Sequence, residues 1–257
     1  YEALYAFLFT SSRPTSGSVH VRDGADLKRV MITVVVALLP CAAMAMYNTG
    51  LQANRAIAAG APPLEGWRTG LLGLLGGGYS PDRVLDCVLH GAVYFVPVLA
   101  VTFLVGGAWE ALFAVVRRHD VSEGFLVTGV IFPLILPATV PLWQVALAIS
   151  FGVVIGKEIF GGTGYNILNP AVTARALLFF GYPAQVTGDT VWIPAGRADA
   201  ISGATPLANA AEDGLRTIAQ HYSWTDAFLG FIPGSMGETS ALACLIGAVV
   251  LLLTGVA

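Results

Sequence analysis

Long apolar stretches dominate the chain and are rarely interrupted by charge. They share a near absence of Asp, Glu, Lys and Arg, and they cover residues 30–54, 87–109, 125–156, 170–183 and 239–257. A helix needs about 20 apolar residues to cross the hydrocarbon core of a bilayer. The pattern therefore predicts an all-α integral membrane protein.

The third stretch, 125–156, has 32 residues and is too long for one comfortable crossing. It contains Pro133, Pro137 and Pro141, and proline inside a helix breaks or kinks it. We therefore predict a short or broken helix over about 125–137 and a second helix from Leu142 to about Phe160. The whole chain then has about five to six transmembrane or broken helices.

Basic residues orient these helices. Lys28 and Arg29 precede the first stretch, and Arg117 and Arg118 follow the second. Cytoplasmic loops carry an excess of Lys and Arg, so both pairs are predicted to be cytoplasmic. Segment 184–226, with two basic and five acidic residues, is then external, unless the broken region folds back on itself and reverses the count.

This interpretation divides the chain into four parts. They are a cytoplasmic N-terminal segment (1–29), a first helix bundle with broken helices (30–183), an external loop (184–226) and a last membrane segment (227–257). The chain starts at Tyr1 rather than Met and ends at Ala257 directly after an apolar stretch. We therefore expect a longer protein that continues beyond these ends.

Composition agrees with a membrane protein and excludes other classes. Apolar residues make up 56% of the chain and charged residues 11%, against about 25% charged in soluble domains. The net charge of −3 gives no basic signature for nucleic acid. The three cysteines and four histidines are scattered without metal-ligating spacing, so no metal site is expected.

A loop rich in glycine and asparagine, GGTGYNILNP, occupies residues 161–170 between two apolar stretches. Irregular backbone at membrane depth occurs where it lines a cavity or is buried in protein. Asn166 and Asn169 are three residues apart and would share one face of a helix, and Pro170 suits a first helical turn. A ligand-binding loop and a plain connection both fit this pattern.

The string DAISGAT covers residues 199–205 and precedes Pro206. Ser202 and Thr205 are both suited to cap a following helix. No Walker lysine follows, so the string is not a phosphate-binding P-loop.

Five charged residues lie within or beside the apolar stretches: Glu110, Lys157, Glu158, Arg175 and Glu238. Each costs about 2.5–3.5 kcal/mol at the centre of a bilayer and less near its surface. Snorkelling to the surface is the simplest interpretation for the lysine and the arginine. Functional sites are the alternative interpretation.

Several strings of the chain, taken together, resemble one family. They are HVRDGADLKRVMITV from His20, GGAWEALFAVVRRH from Gly106, LWQVALAISFGVVIGKEIFGGTGYNILNPAVTARALLFFGYPAQ from Leu142 and GSMGETS from Gly234. DAISGAT resembles the motif at which a dedicated transferase attaches FMN to a threonine. The chain is similar along essentially its whole length to the NqrB/RnfD family, whose NqrB members are membrane subunits of Na+-translocating NADH:quinone oxidoreductases.

The resemblance implies a redox-driven sodium pump, a translocase of the bacterial inner membrane that works with other subunits. Electrons would pass from covalent FMN through noncovalent riboflavin to ubiquinone. By resemblance, Thr205 carries FMN within a motif that includes Asp199 and Ser202. The riboflavin stretch includes Thr163, Gly164, Asn166 and Asn169, the quinone region includes Gly106, Gly107 and Glu110, and the ion path includes Phe151.

The resemblance also implies a fold. The family has two inverted repeats arranged like a urea transporter, and segment 227–257 would begin the second repeat. A ferredoxin:NAD+ oxidoreductase subunit of the RnfD type is the first alternative, although FGGTGYNILNP and GGAWE favour the quinone reductase. A channel or transporter of similar fold without redox chemistry is the second.

Overall fold

The computed structural model describes residues 27–118, 121, 123–188, 191–196, 203–214 and 222–256. These residues form ten α-helices and a 3₁₀ turn, Glu158–Phe160. The helices are α1 (Leu27–Ala58), α2 (Trp67–Leu74), α3 (Val84–Arg117), α4 (Gly124–Leu134), α5 (Leu142–Val154), α6 (Pro170–Gly181), α7 (Pro183–Val186), α8 (Pro206–Asp213), α9 (Trp224–Leu229) and α10 (Ala241–Thr254).

The predicted all-α membrane class is confirmed. Three helical segments in the described part of the chain are long and apolar enough to cross a membrane: Leu27–Ala58, Val84–Arg117 and Leu142–Phe160. The helices α4, α6 and α10 are apolar but shorter. Together they make six apolar helices among the described residues, within the five to six that the sequence predicts.

Helices α1 and α3 run antiparallel and touch backbone to backbone. A Cβ atom on Gly50 would lie 1.8 Å from the carbonyl oxygen of Cys87, and one on Gly91 would lie 1.7 Å from that of Met46. Small residues allow membrane helices to approach this closely. The two glycines therefore fix the crossing on which the other helices pack.

The two ends of the bundle differ. At the end that we call the basic end, Lys28 of α1 forms an ion pair with Glu123, just before α4, with 3.1 Å between Nζ and Oε1. At the other end, which we call the α2 end, Pro63 bridges Ala195, and the amide of Gly196 donates to the carbonyl of Pro62. Residues 191–196 therefore lie against the connection between α1 and α2. The predicted topology likewise places these two segments on the same side of the membrane.

The predicted break lies between α4 and α5. Helix α4 has 11 residues, so it is about 16 Å long and covers about half of a bilayer core. After its end at Leu134 the chain continues without helix, and the Thr139 hydroxyl donates to the carbonyl of Val191 at the α2 end. The broken region thus reaches the opposite end of the bundle and does not fold back.

Two further helix pairs complete the bundle. Helices α5 and α6 form an antiparallel hairpin in which the Trp143 and Tyr182 rings lie 5.3 Å apart. Helix α10 packs on α1 at Gly247, where a Cβ atom would lie 2.4 Å from the carbonyl oxygen of Ala37. The irregular segment before α10 meets the break after α4, since the Gly237 amide donates to the carbonyl of Leu134.

Candidate functional site

The glycine- and asparagine-rich loop lies between the 3₁₀ turn and α6, at the basic end. Asn169 caps α6, because its side-chain oxygen accepts hydrogen bonds from the amides of Ala171 and Val172 at 3.0 and 3.3 Å. Pro170 is the first residue of this helix, as the sequence predicts. The capping bonds satisfy two backbone N–H groups that a helix N-terminus would otherwise leave unpaired.

The side chain of Asn166 forms two hydrogen bonds within the loop. Its side-chain oxygen accepts from the amide of Gly164 at 3.3 Å, and its side-chain nitrogen donates to the carbonyl of Leu168 at 2.9 Å. Gly164 has φ +92°, a conformation that favours glycine, and Thr163 is half-buried. The two asparagines therefore do not share a helical face, because neither lies inside a helix.

The loop still offers surfaces for a ligand. Tyr165 is 75% exposed and Ile167 is 78% exposed. The side-chain nitrogen of the exposed Asn169 makes no hydrogen bond to the described part of the chain. An aromatic ring, an apolar side chain and one open amide donor suit a planar heterocycle with a polar edge.

Thr205 is the N-cap of α8. Its hydroxyl oxygen accepts from the amide of Ala208 at 3.2 Å, Pro206 is the first helical residue, and the threonine is half-buried. The predicted capping role of Thr205 is therefore confirmed. Asp199 and Ser202, the other predicted motif residues, lie outside the described residues.

A cluster of charges, buried except for Arg117, joins α3 to the segment after α5. Lys157 Nζ lies 2.5 Å from Glu110 Oε1 and 3.8 Å from Glu158 Oε1, and Arg117 Nη1 lies 3.1 Å from Glu158 Oε2. The side chain of Lys157 is only 4% exposed. Snorkelling is therefore wrong for this lysine, because carboxylates neutralise it inside the protein.

Arg175 is also paired. Its Nη1 lies 3.2 Å from Oε2 of Glu238, so the ion pair joins α6 to the irregular segment before α10. The two side chains are 31% and 51% exposed. This pair is therefore more open to its surroundings than the cluster around Lys157.

The two glycines of the predicted quinone region pack against an aromatic ring. A Cβ atom on Gly106 would lie 2.4 Å from the Phe125 ring and 3.1 Å from Ile149, and one on Gly107 would lie 3.8 Å from the same ring. The space beside Gly106 is thus filled by Phe125, and α3 lies close to α4 and α5. Glu110, one turn further along α3, belongs to the charge cluster.

An open apolar groove of about 550 Å³ lies beside this region. It is lined by residues of α3, α5 and α6 and by Ile155 and Tyr182 beside them, and they include Trp109, Phe151 and Val154. Phe151, the predicted ion-path residue, thus faces a mainly apolar groove. Trp109 lines the groove, whereas Glu110, the next residue of α3, is buried and does not line it.

A buried polar network joins α1 and α3 near the α2 end, and sequence reasoning missed it. His90 Nδ1 lies 2.7 Å from Asn54 Oδ1, and the side-chain nitrogen of Asn54 donates to the carbonyl of Ser80 at 3.2 Å. The Cys87 thiol lies 3.6 Å from that nitrogen. No spacing in the sequence marks these residues, because the pairing arises from the helix crossing.

Comparison with known proteins identifies the family. The sequence model of the NQR2, RnfD, RnfE family matches residues 14–257. The chain belongs to this family. Its relatives include the B subunit of the Na(+)-translocating NADH-quinone reductase of Chromohalobacter salexigens, 57% identical over the whole chain, and the proteins of the same name from Ectopseudomonas mendocina and Pseudomonas aeruginosa, 54% and 55% identical.

The chain spans 62% of the length of the Chromohalobacter protein and 64% of the length of the other two. Each comparison covers all 257 residues of the chain. The charge cluster, the asparagine loop and Thr205 therefore all lie within the region that the chain shares with these relatives.

Proposed function

We propose that the chain is part of the B subunit of a Na+-translocating NADH:quinone oxidoreductase of the bacterial inner membrane. In this role the protein passes electrons from covalent FMN through riboflavin to ubiquinone and couples the transfer to Na+ export. The name of the curated relatives supports the enzyme class. The capping geometry of Thr205 is the structural observation that carries the proposal.

Thr205 fits a phosphoester of FMN. Its hydroxyl oxygen stands at the N-terminus of α8, where the helix dipole favours a phosphate. Esterification leaves that oxygen able to accept a hydrogen bond from Ala208. FMN supplies the electron-transfer chemistry, and the chain holds its phosphate at a fixed place.

The loop around Asn166 and Asn169 fits noncovalent riboflavin. Tyr165 supplies an aromatic surface, and the side-chain nitrogen of Asn169 supplies a donor for a flavin carbonyl. The side-chain amide of Asn166 bonds to Gly164 and Leu168 within the loop, so it shapes the loop and does not point outwards. We therefore assign binding to Asn169 and positioning to Asn166, with Thr163 beside them.

Ubiquinone, as substrate, fits the apolar groove lined by Trp109 and Phe151. Its isoprenoid chain matches the apolar lining of this groove. Gly106 and Gly107 then act indirectly, because they allow Phe125 to pack beneath this region. Lys157 holds the Glu110 carboxylate in place.

The RnfD-type alternative belongs to the same family, because the family's description names both NQR2 and RnfD. The curated relatives favour the quinone reductase. Quinone reduction by NADH that depends on Na+ distinguishes the two in the purified complex with its other subunits. Ferredoxin-dependent NAD+ reduction without quinone activity would replace our proposal with the RnfD type.

Covalent flavin distinguishes a redox protein from a channel or transporter without redox chemistry. The full-length protein, expressed in a host with the flavin transferase, should fluoresce in a denaturing gel. The Thr205→Val variant removes the only atom of that side chain that can carry the phosphoester, so we expect the band to lose its fluorescence.

Thr187→Val serves as the matched control. Thr187 follows α7 and bonds locally to the carbonyl of Pro183, so its loss removes a hydroxyl outside the motif. This variant should keep the fluorescent band. A non-fluorescent wild-type band, or fluorescence that survives in Thr205→Val, would rule out the assignment.

A further inference from the structure

A half-buried arginine on α2, Arg68, contacts two aromatic rings. The guanidinium carbon of Arg68 lies 4.8 Å from the centre of the Trp67 ring and 4.9 Å from that of Tyr94 on α3. Aromatic faces attract a guanidinium and hold its plane. The two rings therefore attract the guanidinium without using its N–H groups as hydrogen-bond donors to oxygen.

One edge of this guanidinium has no partner. Arg68 Nε and Nη2 are both buried, and neither makes a hydrogen bond to any described residue. The N–H groups of these two nitrogens lie side by side and form the fork that matches two oxygens of a phosphate or carboxylate. Buried polar groups are normally hydrogen-bonded, so an unpaired fork points to a missing ligand.

Arg68 lines a small cavity at the α2 end. The cavity has a volume of about 190 Å³, and its lining includes Glu65, Tyr94 and Thr139. At about 30 Å³ for each water, it has room for a phosphate group. Glu65 lines the same cavity, yet the described residues show no ion pair between its carboxylate and Arg68.

The position of α2 indicates which oxyanion reaches the fork. Helix α2 has eight residues and follows the membrane-crossing α1. Trp67, Leu74 and Leu75 expose 54%, 83% and 52% of their surface. A short helix with an outward tryptophan and leucines is typical of the membrane interface, where lipid phosphates lie.

We propose that Arg68 binds a phosphate oxyanion through Nε and Nη2, presented either by a phospholipid headgroup or by free phosphate. Two unpaired donors on a side chain that lines this cavity carry the inference, and the interfacial position of α2 favours the lipid. The site does not depend on the redox function proposed above, and it lies on an element that contributes none of the flavin or quinone residues.

Wild-type protein tests the site directly. The full-length protein, purified in detergent with its copurifying subunits and stripped of lipid, is titrated with three ligands under native mass spectrometry. They are dioctanoyl phosphatidylglycerol, dioctanoylglycerol and inorganic phosphate. Stronger binding of the phospholipid than of dioctanoylglycerol supports a lipid phosphate, and binding of inorganic phosphate supports the free ion. Equal binding of the two lipids, without phosphate binding, overturns the proposal.

Variants locate the binding at Arg68. Arg68→Gln should weaken phosphate-dependent binding at least tenfold, and Arg68→Lys should weaken it less, because it keeps the charge but loses the fork. Arg83→Gln is the control, since Arg83 is an exposed arginine just before α3. Equal losses in Arg83→Gln and Arg68→Gln, or no loss in Arg68→Gln, would contradict the proposal. The wild-type comparison decides if the Arg68 variants do not fold.

Discussion

Single side chains at the basic end show how charge is kept inside this bundle. Glu110 and Glu158 share the ammonium of Lys157, and Arg117 also pairs with Glu158, so two acids face two bases. Removing one partner of a buried pair strands the other charge and typically costs about 3–5 kcal/mol. The carboxylate of Glu110 is therefore fixed by a residue 47 positions away in the chain.

Asn169 allows capping and ligand binding to be separated. Asn169→Asp keeps the oxygen that caps α6 but removes the amide donor, so we expect near wild-type thermal stability and less noncovalent riboflavin. Asn169→Leu removes both and should also lose about 1 kcal/mol of stability. Riboflavin and FMN are quantified by chromatography after denaturation, and thermal unfolding is followed in detergent.

The FMN proposed on Thr205 is the internal control, because neither substitution touches its motif. It should remain at wild-type stoichiometry in both variants. Riboflavin content that stays unchanged in both variants would show that the loop only connects two helices.

At the scale of elements, the sequence predicts helix boundaries well and helix contacts poorly. Pro137 and Pro141 predict the break, and α5 begins directly after the second of these. Pro40 and Pro97 lie inside α1 and α3 without ending them, so proline alone does not mark a break. The partners of buried charges cannot be predicted in this way, because they depend on how the helices pack and not on the spacing of residues along one helix.

The crossing of α1 and α3 gives a test at the same scale. Gly91→Ala places a methyl group on the Met46 carbonyl, so the two helices must separate. Such overpacking typically costs about 1–3 kcal/mol, and more when backbone has to move. We expect a clearly lower thermal midpoint in detergent and less folded protein on size-exclusion chromatography.

Gly73→Ala is the matched control for this crossing. Gly73 lies in α2, and a Cβ atom there would meet nothing within 4 Å, so alanine should leave stability unchanged or raise it slightly. A Gly91→Ala protein that melts with the control would show that the helices do not cross as described.

Across the whole molecule, the asparagine loop and the described residues that flank α8 in the chain lie towards opposite ends. The asparagine loop follows Glu158, which pairs with Arg117 at the basic end. Residues 191–196 lie at the α2 end, where Ala195 bridges Pro63. After α8 and α9, the Phe231 ring packs against Tyr47 in the second half of α1. If the FMN proposed on Thr205 lies at the α2 end, electrons that pass from it to the proposed riboflavin would cross the bundle between its ends.

The orientation of the bundle in the membrane can be tested directly, because the basic residues predict that the basic end faces the cytoplasm. Single cysteines are introduced by Glu65→Cys at the α2 end and Arg118→Cys at the basic end, with Cys41, Cys87, Cys244 and any further cysteine of the full-length protein replaced by serine. Both positions are exposed. Because basic residues favour the cytoplasm, a membrane-impermeant maleimide should label only the Glu65→Cys variant in intact spheroplasts and both variants after permeabilisation. Labelling of Arg118→Cys alone would invert the bundle and place the Thr205 segment inside the cell, where FMN and its transferase would have to act on the cytoplasmic face.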